Sequence, residues 1–251
     1  MQTPNTQEMS PDFLNCWKAA GIHLNRQADS GTLPWLRAHP YPPYFEHLSF
    51  RLGNQLFLVR VEDADGKVAG PGTRQVLQEV AQECRGHACL MPMRRRSPAG
   101  EWVAAETGWG LLHADSMKPF NPIDLVNDEK IEMTPWELHD FAVQTVRDLL
   151  EKEGRQVMYC HGNPEMDPSI WFSGASKKPE WVVVRSTRFP EKFAKRPGNL
   201  KEIAKYCEHM SKIGHFASVA VASTDSFEAG KPQPLYRGHG FYVRYTGLEP
   251  L

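Results

Sequence analysis

The chain reads as an α+β protein made by tandem duplication of one α-β-β-α-β-β unit with mixed and antiparallel sheets, and three observations predict this. First, segments recur in order. Glu8-Met9-Ser10-Pro11 returns as Glu132-Met133-Thr134-Pro135, and Arg60 after Leu56-Phe57-Leu58-Val59 returns as Arg185 after Trp181-Val182-Val183-Val184. Pro71-Gly72 returns as Pro197-Gly198, Gly86-His87 as Gly214-His215, and Gly108-Trp109-Gly110 as Gly238-His239-Gly240. Second, the offsets between these pairs are 124, 125, 126, 128 and 130, rising as small insertions accumulate, whereas chance matches would scatter. Third, apolar spacing switches between helical and strand periods in the same order in both copies. A period of about 125 residues is too long for a solenoid and long enough for a domain. The expected units are residues 1–126 and 127–251.

Each copy opens with a helix. In the second, Thr134 caps, Pro135 sits where its missing N–H costs nothing, and Glu137 completes a capping box. Leu138, Phe141, Ala142, Thr145, Val146, Leu149 and Leu150 keep helical spacing until Gly154 stops it. In the first, Ser10 caps, Phe13, Leu14, Trp17 and Ala20 share a face, and Gly21 is the expected stop. A hairpin follows. Leu48, Phe50 and Leu52 alternate with His47, Ser49 and Arg51, which predicts one wet face, and Gly53-Asn54 is a two-residue turn. The consecutive apolar residues of Leu56–Val59 and Trp181–Val184 predict central strands covered on both faces.

A second helix is predicted in each copy, capped by Thr73 and Asn199 and ended by Gly86 and Gly214. Strands are then expected over Ala88–Met93 and Trp102–His113, and over Phe216–Ala222 and Tyr236–Tyr245. Both Gly-x-Gly pairs fall inside these strands. Residues 119–130, with Asn-Pro and Asn-Asp turn signals, form the linker.

With 251 residues, 41% of them hydrophobic and 24% charged, the chain can bury one or two cores. Lys and Arg number 13 against 15 Asp and Glu through Lys130, and 16 against 15 after it. Neither half carries the positive field of a duplex-binding domain, which disfavours direct nucleic-acid binding. Cys16, Cys84, Cys89, Cys160 and Cys207 are odd in number and form no CxxC pair, which fits buried thiols in a reducing compartment. The polar first residues and the absence of a long apolar run predict a cytoplasmic protein with no membrane partner.

No catalytic constellation emerges. Gly108-x-Gly110 and Gly238-x-Gly240 open no helix, so the dinucleotide fingerprint lacks its context. Cys207, His209 and His215, or His87 with Cys89, invite zinc, but only the histidine of the Gly-His pair is repeated and four convergent ligands are not in view. No metal, cofactor or catalytic residue is expected.

Charged loops differ between the copies. Glu62-Asp63-Ala64-Asp65-Gly66 is an acidic turn whose counterpart is Ser186-Thr187-Arg188-Phe189-Pro190. Arg94, Arg95 and Arg96 form a basic run opposite Ser223-Thr224-Asp225. Trp35 and Tyr41 lie in the Pro-rich segment 34–43, where no periodicity assigns them to a core. Divergent loops and aromatic side chains are where a binding surface would lie. The predicted partner-binding residues are therefore Glu62, Asp63, Asp65, Trp35, Tyr41, Arg94, Arg95 and Arg96, with solvated loops and a covered sheet edge as the structural alternative.

The order helix, hairpin, helix, strand resembles the core of PD-(D/E)xK nucleases, in which an Asp on one strand and a Glu-x-Lys on the next hold a divalent metal. Asp167 stands about where the first acid would. Val183 and Leu58, two residues before Arg185 and Arg60, stand where the second would, so neither copy supplies both. As a duplicated α+β protein with segments Asp167-Pro168-Ser169-Ile170-Trp171-Phe172 and Trp181-Val182-Val183-Val184-Arg185, the chain also resembles immunity proteins that bacteria pair with contact-delivered toxins, including type VI secretion effectors. That resemblance implies a non-enzymatic inhibitor that binds a cognate toxin, often a nuclease, and blocks its site. A degenerate or unusual PD-(D/E)xK-fold nuclease or nucleic-acid-processing enzyme is the alternative.

Overall fold

The structure, a computed structural model, describes residues 9–28, 33–37, 46–97, 100–225 and 231–251. The chain divides into two compact units, Met1–Glu129 and Lys130–Leu251, three residues beyond the expected boundary. Unit 1 contains α1 (Pro11–Gln27), β1 (Trp35–Arg37), β2 (Leu48–Leu52), β3 (Gln55–Asp63), α2 (Arg74–Glu83), β4 (His87–Arg95), β5 (Trp102–Ala104) and β6 (Leu112–His113), then a 3-10 turn at Pro122–Leu125. Unit 2 contains α3 (Pro135–Lys152), β7 (Gln156–Cys160), β8 (Ile170–Ser173), β9 (Pro179–Arg188), α4 (Leu200–Cys207), β10 (Gly214–Ser223) and β11 (Phe241–Pro250).

Both units are α+β, each with one mixed sheet. The orders are β1-β2-β3-β4-β5, with β6 also on β4, and β7-β8-β9-β10-β11. In each, the first three strands are antiparallel, the helix crosses over to a parallel strand, and the last pairing is antiparallel. The ladders also share register. Phe57 faces His87 and Arg60 faces Leu90, while Val182 faces His215 and Arg185 faces Ser218. The offsets of 125 and 128 that relate the two copies in sequence thus hold across the paired strands.

The central strands are apolar at successive positions because both faces are covered. Phe57, Val59 and Val61 pack under α1 with Cys16, Ala20 and Leu24, whereas Leu56 and Leu58 pack under α2 with Leu77 and Ala81. In unit 2, Val182 and Val184 meet Ala142 and Val146 of α3, and Trp181 and Val183 meet Ile203 and Cys207 of α4. Each unit is a helix, sheet, helix sandwich.

Several expectations need correction. Asn199 precedes α4 but its side chain makes no capping hydrogen bond, and the helix ends at Cys207, so Gly214 opens β10 instead of stopping the helix. Each copy has a third strand before the hairpin, β1 and β7, so the unit is α-β-β-β-α-β-β; both are sheet-edge strands, and burial imposes no clean alternation on them. Gly21 does not stop α1, which runs on to Gln27, because the buried face of Phe13, Cys16 and Ala20 continues to Leu24 on the far side of the glycine. His47 and Ser49 are fully buried instead of wet, since the β3–α2 connection covers that face. Residues 102–113 form two short strands with Gly108-Trp109-Gly110 looped between them. Gly108 and Gly110 take φ of +63° and +72°, and Gly238 takes +77° in the turn before β11, values that favour glycine.

Candidate functional site

The register places His47 and Asp167 at equivalent positions: Ser49 faces Leu58, Ser169 N–H donates to Val182 O beside the Ile170–Val182 pair, and His47 and Asp167 stand two residues before these serines. Across from them stand Arg60 and Arg185. This corner is the place where a nuclease-like hairpin would gather its acids, and the two copies fill it differently.

In unit 1, His47 is a hydrogen-bond hub. Its Nδ1 accepts from Val61 N–H at 2.9 Å, its Nε2 donates to Pro71 O at 2.9 Å, and Phe13 packs edge-on at 5.0 Å. The Gly70–Pro71 strap closes the corner. A Cβ on Gly70 would fall 2.3 Å from Phe13 and 2.7 Å from His47, so the approach requires glycine. Burial, with the Arg60 charge adding to it, lowers the His47 pKa to about 4 and keeps the ring neutral.

In unit 2, Arg185 donates to both oxygens of Asp167, Nη1 to Oδ1 at 2.9 Å and Nη2 to Oδ2 at 2.5 Å, in the bidentate geometry that makes such pairs strong. His139, on α3, lies within electrostatic reach of Arg185, Asp167 and His161; burial first and Arg185 second lower its pKa to about 4. Its buried Nε2 has no hydrogen-bond partner among the described residues. His161 Nε2 donates to Pro168 O at 3.1 Å. The position of a second acid is taken by Val183 and, in unit 1, Leu58, both buried in the apolar cores under α4 and α2.

The expected partner-binding residues divide among three places. Glu62, Asp63, Asp65 and Arg94 line one cleft of about 410 Å³ with Arg74 and Met117. They are not equivalent within it. Glu62 accepts from Arg60 Nε at 3.0 Å and is clamped by Arg74 Nε at 2.9 Å and Nη2 at 2.5 Å. Burial raises its pKa, but the two guanidiniums outweigh burial and hold it below the usual carboxylate range. Asp63 accepts from the backbone N–H groups of Asp65, Lys67 and Val68 at 2.9–3.0 Å and so builds the turn itself. Only Asp65 is an exposed carboxylate of the surface type, paired with Lys67 at 3.1 Å.

The basic run splits across the sheet, because side chains on β4 alternate. Arg94 turns to the cleft on the α2 side and donates to Ala105 O. Arg95 turns to the α1 side, pairs with Asp12 at 2.7 Å and lies 4.9 Å over the Trp102 ring. With Arg96 it lines a groove of about 920 Å³ between α1 and β5. Trp35 is half-buried in β1, donates Nε1 to Asn25 Oδ1 at 3.0 Å and packs edge-on against Phe50 at 5.9 Å, so it covers the sheet edge. Tyr41 lies outside the described residues.

Sequence reasoning missed Lys18 and Arg26, which line the same groove from α1. The signal was present as a four-residue spacing through Ile22, but the helix was expected to end at Gly21.

The residues that invited zinc are engaged locally. His215 Nε2 meets Glu180 Oε2 at 2.7 Å, His87 Nε2 meets Gln55 Oε1 at 2.9 Å, and Cys207 and Cys89 are buried. Among the described residues no three His, Cys, Asp or Glu side chains converge as a metal set. No helix among them is long and apolar enough to cross a membrane.

No curated protein and no solved structure matches the chain. Residues 136–251, which hold His139, Asp167, Arg185 and nearly all of unit 2, match the family model of a domain of unknown function, DUF8840.

Proposed function

We propose that the protein is a non-enzymatic binding protein that neutralises a partner, acting in the cytoplasm as an immunity protein against a delivered toxin of the nuclease class. The observation that carries this reading is the hairpin corner. In both copies the second acid is replaced by a buried aliphatic residue, and in unit 2 Asp167 is spent on Arg185. Binding a hard cation for in-line attack takes more than one carboxylate. What differs between the copies is the charged rim, with an acidic turn and a basic run in unit 1 only. A frame held constant beneath divergent loops suits recognition.

The test is to express the protein beside candidate contact-delivered effectors from its own source and to titrate it into each purified effector. The expected outcome is relief of growth arrest for one cognate effector and loss of that effector's activity at equimolar ratio. Absence of any stable complex or protection would overturn the proposal.

The strand order of each unit favours a second reading, a degenerate or unusual PD-(D/E)xK-fold enzyme, because helix, antiparallel hairpin, crossover helix and parallel strand follow in that order with Asp167 at the hairpin's start. Magnesium-dependent cleavage of DNA or RNA that disappears in Asp167→Ala would establish that reading in place of the first.

A further inference from the structure

The groove between α1 and β5 in unit 1 has the largest volume of the surface depressions described above, about 920 Å³. Lys18, Ile22 and Arg26 stand four residues apart on α1 and so share one helical face along it. Ile22 is 52% exposed, an apolar side chain set between two cations. Lys18, Arg26 and Arg96 form no ion pair among the described residues, whereas Arg95 is held by Asp12 and by the Trp102 ring. The opposite wall is β5, the last strand of its sheet.

The ladder fixes which backbone groups of β5 are unpaired. Arg96 N–H donates to Glu101 O at 3.1 Å and Ala105 N–H to Pro92 O at 2.8 Å, so Glu101, Val103 and Ala105 face β4. By antiparallel alternation Trp102 and Ala104 turn their N–H and C=O to the outer edge. An open strand edge is a template for an added strand.

We propose that this groove is the docking site for an extended, acidic polypeptide segment of the partner protein. The segment adds its backbone to the outer edge of β5, sets an apolar side chain on Ile22, and places carboxylates against Lys18, Arg26 and Arg96. Exposed pairs of this kind add modestly to affinity and strongly to orientation and on-rate. Nucleic acid fits less well. Trp102, only 9% exposed beneath Arg95, offers no face on which a base could stack, whereas an added strand needs only the open backbone edge.

The proposal rests on the partner-binding reading, and its test uses defined probes so that the two can fail separately. The full chain is titrated with fluorescein-labelled peptides of alternating Glu and Val or alternating Lys and Val, and with single-stranded DNA of similar length. The Glu-Val peptide is expected to bind, to weaken as salt rises, and to lose roughly tenfold or more in affinity in the triple variant Lys18→Glu, Arg26→Glu, Arg96→Glu. Ala104→Pro removes an outward N–H without touching the β4 ladder, and is expected to weaken the peptide while unfolding remains cooperative. Equal binding of the Lys-Val peptide, preference for DNA, insensitivity to salt, or unchanged affinity in both variants would each overturn the proposal. Any of these results alongside intact toxin neutralisation would sink the groove and leave the partner-binding reading standing. Specific Glu-Val binding without neutralisation of any effector would do the reverse.

Discussion

The first turns of α1 and α3 are capped alike and then diverge at the third residue. Ser10 Oγ accepts from Phe13 N–H at 3.1 Å and Thr134 Oγ1 from Glu137 N–H at 3.2 Å, each with proline next after the cap. Phe13 then packs on the neutral His47. Glu137 instead enters a fully buried ion pair, its two oxygens accepting from Arg237 Nε and Nη2 at 2.8 Å, with both side chains at 0% exposure. Unit 1 fills the position equivalent to Glu137 with an aromatic ring, Phe13, instead of an ion pair. The pair is present in unit 2 and its counterpart position in unit 1 is Phe13, and its removal is asymmetric: breaking one partner strands a buried charge, while replacing both approaches the apolar filling unit 1 uses.

The largest effect should come from breaking that pair. Arg237→Met leaves Glu137 buried and unpaired, and is expected to cost about 3–5 kcal/mol. Adding Glu137→Leu should restore most of the loss, leaving about 1 kcal/mol for the half of the capping box in which Glu137 Oε2 accepts from Thr134 N–H. Denaturant unfolding of the three proteins measures this. If the double variant is as unstable as Arg237→Met, the pair is indispensable to unit 2 and the two units are not alternative solutions to one problem.

Acid sharpens the comparison next. His47 and His139 stand in opposite units, yet each has a pKa lowered to about 4 from an ordinary 6.5. Below pH 6.5 the unfolded chain binds protons that the folded chain refuses, so stability is complete above 6.5 and is lost as pH falls toward 4. At pH 5 the loss is about 2 kcal/mol for each histidine. Glu62, held below the carboxylate range by Arg74 and Arg60, adds a loss that begins as pH falls below the ordinary carboxylate value and is complete below its folded one. His139→Phe replaces the buried imidazole with a ring that does not titrate and should remove one histidine's share of the slope between pH 7 and pH 5. A slope that does not change would mean that His139 accepts its proton without penalty.

Much of this was legible in the residues because local chemistry decides it. The caps at Ser10, Thr73 and Thr134, the Gly53-Asn54 turn and the doubly covered strands all follow from neighbours in sequence. What escaped depends on distant chain. His47 alternates like a wet position but is covered by a strap more than twenty residues on, and Arg237 finds Glu137 across 100 residues. The acidic turn shows the same limit at the site. Glu62, Asp63 and Asp65 look alike in sequence, yet Arg60 and Arg74 bind the first and backbone N–H groups the second, which leaves the third as the exposed surface carboxylate, paired with Lys67 alone. The Arg94-Arg95-Arg96 run looks like one patch, and strand alternation sends it to two sides of a sheet.

The smallest predicted effect tests the helix ends, where one rule was applied to both copies. Gly154 follows α3 with φ of +76°, and its N–H donates to Glu151 O while Arg155 N–H donates to Leu150 O, the paired bonds of a glycine-capped end. Gly21 lies inside α1 with helical backbone and open space for a methyl group. The same substitution should therefore act with opposite sign in the two units. Gly154→Ala forces an L side chain into the left-handed region and is expected to cost about 1 kcal/mol, although no atom lies within 4 Å of the new Cβ. Gly21→Ala removes backbone freedom from the unfolded chain and should stabilise by about 0.5–1 kcal/mol. Midpoints of chemical unfolding distinguish the signs. Destabilisation by Gly21→Ala would mean that α1 does end near Gly21, and the helical face of Lys18, Ile22 and Arg26 on which the groove depends would go with it.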